Sequence, residues 1–296
     1  MENLKKFVDP LIKRKKNISN NVQYFSNIPL PSIIEISESG TCNRSCSFCP
    51  RSSPDYKDIK EFISTNLIEK IAKELSEYSY EGLILFSGFV EPLLDKNIFN
   101  LISILRKYLP KSRIEMVTNG DVLNEKRAKK LYESGLSTLL VSVYDSKEDA
   151  ERLESLLKKC NLNESQFKIR HRYLPQDKDF GITLSNRSGM MENAEYKIVS
   201  LKEPLRAQCH YPFYTFFIDY TGEVLICSHD WGKKYIVGNI KENKIIDIWN
   251  GHKFNKAREL LGKSNRKFSP CNKCDVKGTL MGKNHYEAWN ISRKKV

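Results

Sequence analysis

Within eight residues, Cys42-Asn43-Arg44-Ser45-Cys46-Ser47-Phe48-Cys49 sets three thiols on one short loop. Thiols this close share one centre, and the rest of the chain has to be built around it. Disulfides would leave one of the three unpaired. The polar, basic start Met1–Lys16 also lacks the apolar middle of a signal peptide that would lead to an oxidising compartment. A zinc site would want a fourth ligand and usually shows paired Cys-x2-Cys knuckles. An iron–sulfur cubane fits the Cys-x3-Cys-x2-Cys spacing better: three thiolates hold three irons and the fourth stays open to a chelating small molecule.

The loop follows a short strand, Ser32–Ser37, and from there strands and helices alternate. Strands are expected at Gly82–Phe86, Arg113–Val117, Thr138–Val143 and Phe167–Tyr173, with a sixth at Gly181–Leu184. Helices are expected over Asn66–Tyr78, Ile98–Tyr108, Glu125–Glu133 and Glu148–Lys159, with apolar residues at helical spacing, as in Leu67, Ile68, Ile71, Ala72 and Leu75. This alternation predicts βαβ units and a parallel sheet, an α/β fold read as a partial (β/α)6 TIM-like barrel over residues 31–188. Its chemistry should gather at the carboxyl ends of the strands, where the cysteine loop lies.

At that point the chain resembles the radical S-adenosylmethionine (SAM) enzymes, whose motif is Cys-x3-Cys-x-aromatic-Cys, with Phe48 in the aromatic place. The resemblance implies that SAM binds the open iron and that its reductive cleavage gives a 5′-deoxyadenosyl radical. It also implies cofactor contacts. Gly88-Phe89-Val90-Glu91-Pro92 resembles the family's Gly-Gly-Glu-Pro stretch, with Val90 standing where glycine is common; Gly88 and Glu91 are the expected contacts there. Asn119 matches the family's Thr-Asn-Gly strand ending, and Ser142 stands where the SAM ribose is often held. On the fifth strand Lys168, Arg170 and Arg172 share one face and Phe167, Ile169, His171 and Tyr173 the other. Arg170 and Arg172 suit an anionic group and His171 a general base, so all three are candidate catalytic residues.

Four of the five remaining cysteines form a second pattern: Cys209, twelve residues, Gly222, four residues, Cys227, then Cys271-Asn272-Lys273-Cys274. A hairpin over Phe216–Ile226 folds the second cysteine back toward the first, and a helix over Ile245–Leu260 precedes the closing pair. Four thiolates satisfy zinc or a cubane equally. Beside a radical SAM core, however, the spacing resembles the Twitch domain, a shortened SPASM domain. That implies one auxiliary [4Fe-4S] cluster, fully ligated by Cys209, Cys227, Cys271 and Cys274, in a unit over residues 189–280. His210, His229, Asp230 and Trp231 flank those ligands. Cys160, at a helix end away from the strand ends, reads as a packed small residue. Residues 1–30 read as a polar lead-in and 281–296 as a basic tail.

No apolar run is long enough to cross a bilayer, which with the polar start reads as a cytoplasmic protein. The formal charge of +13 suits an anionic substrate. Lys13-Arg14-Lys15-Lys16 is the one dense basic cluster, and it lacks the interleaved aromatics of a nucleic-acid platform. The resemblance to family members that dehydrogenate aminocyclitols implies oxidation or epimerisation of a carbohydrate-like small molecule, with a low-potential donor such as flavodoxin or ferredoxin. Modification of a ribosomal peptide ranks second, because the lead-in is too short for a recognition domain of about 80 residues. A zinc-stabilised module binding nucleic acid or protein is the reading of another class.

Overall fold

The computed structural model describes residues 20–53, 56–174 and 184–293. The Lys13–Lys16 cluster and residues 181–183 of the expected sixth strand lie outside them. A small hairpin, β1 (Tyr24–Phe25) and β2 (Ile28–Pro29), leads into β3 (Ile33–Ser37), and β4 (Ser39–Gly40) pairs antiparallel with β5 (Ile59–Phe62) across the cysteine loop. There follow α1 (Thr65–Glu77), β6 (Leu83–Phe86), α2 (Ile98–Tyr108), β7 (Arg113–Thr118), α3 (Glu125–Glu133), β8 (Thr138–Val143), α4 (Lys147–Lys159) and β9 (Phe167–His171). These are the expected helices and strands, within a residue or two at their ends.

The helices start where the sequence supplies a cap. Ser64, Asn124 and Ser146 each accept a hydrogen bond from the backbone N–H three residues on, an arrangement worth about 1 kcal/mol apiece. In α1, Leu67, Ile68, Ile71, Ala72 and Leu75 are all buried. Burial of each large side chain contributes roughly 1.5–3 kcal/mol. The strands alternate, with Ile34, Ile36, Ile84, Phe86, Met116 and Val141 packed with the helix layer, whereas Ile33, Leu83, Leu85 and Leu140 form a separate cluster on the concave face with Tyr214.

The C-terminal third adds α5 (Tyr211–Tyr214), β10 (Thr215–Asp219), β11 (Glu223–Leu225), β12 (Ile236–Asn239), α6 (Ile245–Trp249), α7 (His252–Gly262) and α8 (Lys283–Arg293). One eight-stranded sheet runs in the order β12-β11-β10-β3-β6-β7-β8-β9. Six of its strands are parallel, but the sixth is β10, lying beside β3 with Phe217 opposite Glu35, at the other end of the row from β9. The expected hairpin is present as β10 and β11, and it continues the main sheet. The helix expected over 245–260 is two helices, broken at Gly251. The expected basic tail contains α8, whose Trp289 is buried against Trp249 and Arg258, so this stretch packs as part of the core. No helix among the described residues is long and apolar enough to cross a membrane.

Candidate active site

At the carboxyl ends of the strands, Cys42, Cys46 and Cys49 line one cavity of about 160 Å³ together with Phe48, Gly88, Glu91 and Asn119. The loop's own backbone holds the thiols in place, with Cys49 N–H donating to Cys46 O at 2.9 Å. Gly88 has φ +110, and a Cβ there would lie 2.9 Å from the Phe217 ring, so the turn after β6 needs glycine. Asn119 bridges two elements: its Nδ2 donates to Asn43 Oδ1 at 2.8 Å and stands 4.0 Å from the Cys42 sulfur. Glu91 is 2 % exposed. Its carboxylate accepts from Leu93 N, Thr118 Oγ1 and Asn119 N at 3.1, 2.6 and 2.7 Å. Burial raises its pKa against those bonds. Its first task is thus to tie the turn after β6 to the end of β7. Phe48 stacks on Tyr144, ring centroids 5.4 Å apart.

Phe48, Val117, Tyr144 and Arg187 also wall a second, larger cavity of about 650 Å³. Ser142, Arg170 and Arg172 line it, and Arg170 donates to Ser142 Oγ at 3.2 Å. Ser142 therefore faces the large cavity and is absent from the lining of the thiol pocket. His171 points the other way. Strand alternation puts it with Ile169 and Tyr173 on the helix-packed face, where Nδ1 lies 3.0 Å from Tyr173 Oη and burial lowers its pKa. The expectation of His171 as a general base at this cavity is corrected accordingly, because Phe167 and Ile169 claim the buried outer face.

On the far wall, Tyr211, His229 and Val276 line both the large cavity and a small void enclosed by Cys209, Cys227, Cys271 and Cys274. The four thiols come from the stretch before α5, the end of β11 and a 3-10 turn at 271–273, so the sequence pattern converges in space. Apolar Ile226, Leu261 and Pro212 close the void. Burial raises all seven of these cysteines, with neighbouring thiols adding to it at Cys42, Cys46, Cys209, Cys227 and Cys271; Cys46 and Cys209 are each pushed up to about 11. A thiolate here therefore needs a metal to displace its proton. Each thiol set surrounds a space with all-sulfur donors, the chemistry of an iron–sulfur cluster. Cys160 has no part in either set; it caps α4, with its sulfur 3.9 Å from Glu125 O.

A family model described as the radical SAM superfamily matches residues 36–172, and one described as the SPASM iron–sulfur cluster-binding domain matches 209–275. The S-adenosyl-L-methionine-dependent 2-deoxy-scyllo-inosamine dehydrogenase of Niallia circulans is 30% identical over 256 residues, which span 82% of this chain and 92% of that protein. The chain belongs to the radical SAM superfamily. The crystal structure of BtrN with AdoMet and 2-DOIA superposes with a TM-score of 0.72 at 27% identity, covering 87% of this chain and 97% of the other. Native anSMEcpe with bound AdoMet shares the fold, with a TM-score of 0.55 at 17% identity over 89% of this chain and all (100%) of that one. As a radical SAM enzyme with a SPASM domain, the chain works with SAM, a [4Fe-4S] cluster and an auxiliary iron–sulfur cluster.

Several residues of this radical SAM site carried no motif. Arg44, inside the cysteine loop, donates to Asp121 and Asp145 through bonds of 2.5–2.8 Å, reaching the ends of two further strands. Arg51 donates to Gly40 O and Phe89 O at 3.1 and 3.3 Å and pairs with Asp58. Trp231, read only as a neighbour of an auxiliary ligand, packs tilted against Phe89 with ring centroids 4.6 Å apart and lines the first thiol pocket. His210 packs flat on Tyr286, and Asp230 accepts from Lys234 N and Tyr235 N, so both serve the local backbone and packing. Arg187 lies on the linker between the two units and lines both cavities.

Proposed function

We propose that this enzyme dehydrogenates a carbinol carbon of a polyhydroxylated small molecule, a sugar or cyclitol, bound in the 650 Å³ cavity. One observation carries the reading: that cavity shares Phe48 and Tyr144 with the pocket of Cys42, Cys46 and Cys49, and Tyr211 and His229 with the void of the other four cysteines. A substrate there lies between a site that removes a hydrogen atom and one that takes up an electron. The relative from Niallia circulans is named as a dehydrogenase of 2-deoxy-scyllo-inosamine, and the volume suits a ligand of that size.

In this reading Cys42, Cys46 and Cys49 hold the cluster that SAM chelates, with Phe48, Gly88, Glu91 and Asn119 shaping the SAM pocket. Cys209, Cys227, Cys271 and Cys274 hold the auxiliary cluster. When bound, SAM and the reduced cluster supply a 5′-deoxyadenosyl radical. The substrate loses one hydrogen atom from carbon, one proton from its hydroxyl and one electron, and becomes a ketone. Arg170 and Arg172 face the cavity and stabilise negative charge developing on the substrate oxygen, while the proton passes to solvent. Arg170 also steadies Ser142, which lies beside it on the wall. Phe48 and Tyr144 form an apolar wall that excludes water from the reacting carbon. The reducing electron comes from a low-potential carrier of the flavodoxin or ferredoxin kind.

The test is iron content and turnover of anaerobically reconstituted protein. Wild type should carry about eight irons, and the Cys42/Cys46/Cys49 triple Ala variant about four, with SAM cleavage abolished. Incubation with polyols should yield deoxyadenosine and ketone in equal amounts. Zinc in place of iron, or deoxyadenosine with no oxidised product from any polyol, would overturn the proposal.

A further inference from the structure

The described wall of the large cavity carries several basic side chains. Among the described residues, Arg170, Arg172, Arg187 and Lys277 line it, with Asp275 as the carboxylate. Asp275 accepts from Asn186 N at 2.8 Å through Oδ2, while its Oδ1 is buried with no hydrogen-bond partner. Arg187 differs from Arg44, Arg51 and Arg170, each of which donates to a protein acceptor. Arg44 and Arg51 are paired with carboxylates, whereas the Arg187 Nε is buried with no hydrogen-bond partner, and no carboxylate pairs with it among the described residues. A buried guanidinium N–H is not left unmade without cost, so it points to a ligand acceptor.

Its position is built. Arg187 and Ser188 both adopt left-handed backbone, φ 46 and 55, which L-residues avoid unless their surroundings impose it. Asn186 imposes it, donating through Nδ2 to Lys273 O at 2.7 Å and accepting from Gly189 N at 3.3 Å. The two adjacent side chains consequently part: Ser188 lines the auxiliary cysteine void, and Arg187 lines the junction of the SAM pocket and the substrate cavity.

Resting on the cavity's reading as the substrate site, we infer that the substrate is anionic, carrying a phosphate or carboxylate that Arg187 binds. A planar guanidinium matches either oxyanion in a bidentate pair.

The test measures binding to the reconstituted, SAM-loaded holoenzyme by calorimetry, independently of turnover. Matched sets are used: myo-inositol with its 1-phosphate, and glucose with glucose 6-phosphate, glucuronate and glucosamine. Each anion should bind about tenfold or more tighter than its neutral parent, the scale of one charge-assisted bond. Phosphate against carboxylate distinguishes the two sources of the oxyanion. Arg187→Met should bring the anion-to-neutral ratio to within about twofold with SAM affinity and iron content unchanged, and Arg187→Lys should keep part of it. Neutral or amino compounds binding as tightly as anions would overturn the inference. So would failure of every anion, inorganic phosphate and pyrophosphate included, to bind. Loss of SAM affinity in Arg187→Met with the ratio intact would assign Arg187 to SAM. Ketone formation plays no part in these readouts, so failure of the dehydrogenase reading is seen separately.

Discussion

Glu38, between the first parallel strand and the cysteine loop, is the least comfortable residue in the site's foundations. It is 0% exposed, and neither carboxylate oxygen has a hydrogen-bond partner. Burial drives its pKa well above the carboxylate range, with Asp95 and Glu91 adding to the effect. The sign of the resulting linkage is the reverse of the usual acid case. The native state keeps the proton while the unfolded chain releases it above about pH 4.3, so the contribution to stability is full below that pH and is lost as pH rises toward the folded value. Glu38→Gln removes the ionisation and keeps the shape. It should raise urea stability by about 1 kcal/mol or more at pH 8.5 and by clearly less at pH 6, so that the variant's pH profile is flatter. An equal change at both pH values would show that Glu38 does not titrate between them. The same accounting of partners separates Glu91, whose three donors make it an anchor, from Arg187, whose missing acceptor makes it a binding group.

The cysteine loop is an irregular element held from outside. Arg44 ties it to Asp121 beyond β7 and Asp145 beyond β8, Asn43 adds a bond to Asp121 at 2.6 Å, and Asn193 Nδ2 donates to Ser47 O at 2.8 Å. The Arg44 guanidinium depresses the Asp145 pKa. Because the thiols cannot be spaced correctly on a slack loop, Arg44→Met should release iron from the first site to a chelator about tenfold faster than wild type, leaving the auxiliary site unchanged. Asp145→Asn, at a largely exposed partner, should do so only about twofold. Equal release from both sites would mean general unfolding and remove the clamp from the argument. None of this was legible beforehand, since Arg44, Asp121 and Asp145 are ordinary polar residues until the topology brings three strand ends together. The cysteines, the first five parallel strands and the four helices between them were legible because each has a local period or spacing. Residues Ile59–Phe62 were not: all four are exposed, so β5 shows no apolar alternation. The face choice on β9 was readable in principle, because Phe167 and Ile169 had to meet the helix layer and so turned Arg170 and Arg172 inward.

Across the whole molecule, the pairing of β10 with β3 is the feature no local pattern announces, because strands 178 residues apart carry no mutual signature. It makes the SPASM-type unit an extension of the parallel sheet. The covering helix α8 strengthens the join: Arg258 lies 3.7 Å from the Trp289 ring centroid and 4.1 Å from that of Trp249, while Trp249 Nε1 donates to Pro29 O at 2.8 Å. The first and last described parts of the chain thus share one core with the auxiliary cluster's scaffold. The two units should therefore unfold together. In an anaerobic urea titration, helical circular dichroism and cluster absorption should be lost in one coincident transition, whereas independent units would give two. Trp289→Ala leaves a cavity under Arg258 and should lower stability by roughly 3–5 kcal/mol while keeping the transitions coincident. If the variant instead lost the auxiliary cluster's absorption well before the barrel's helices melted, α8 would be a local strut for one unit, and the continuous sheet would not couple the two.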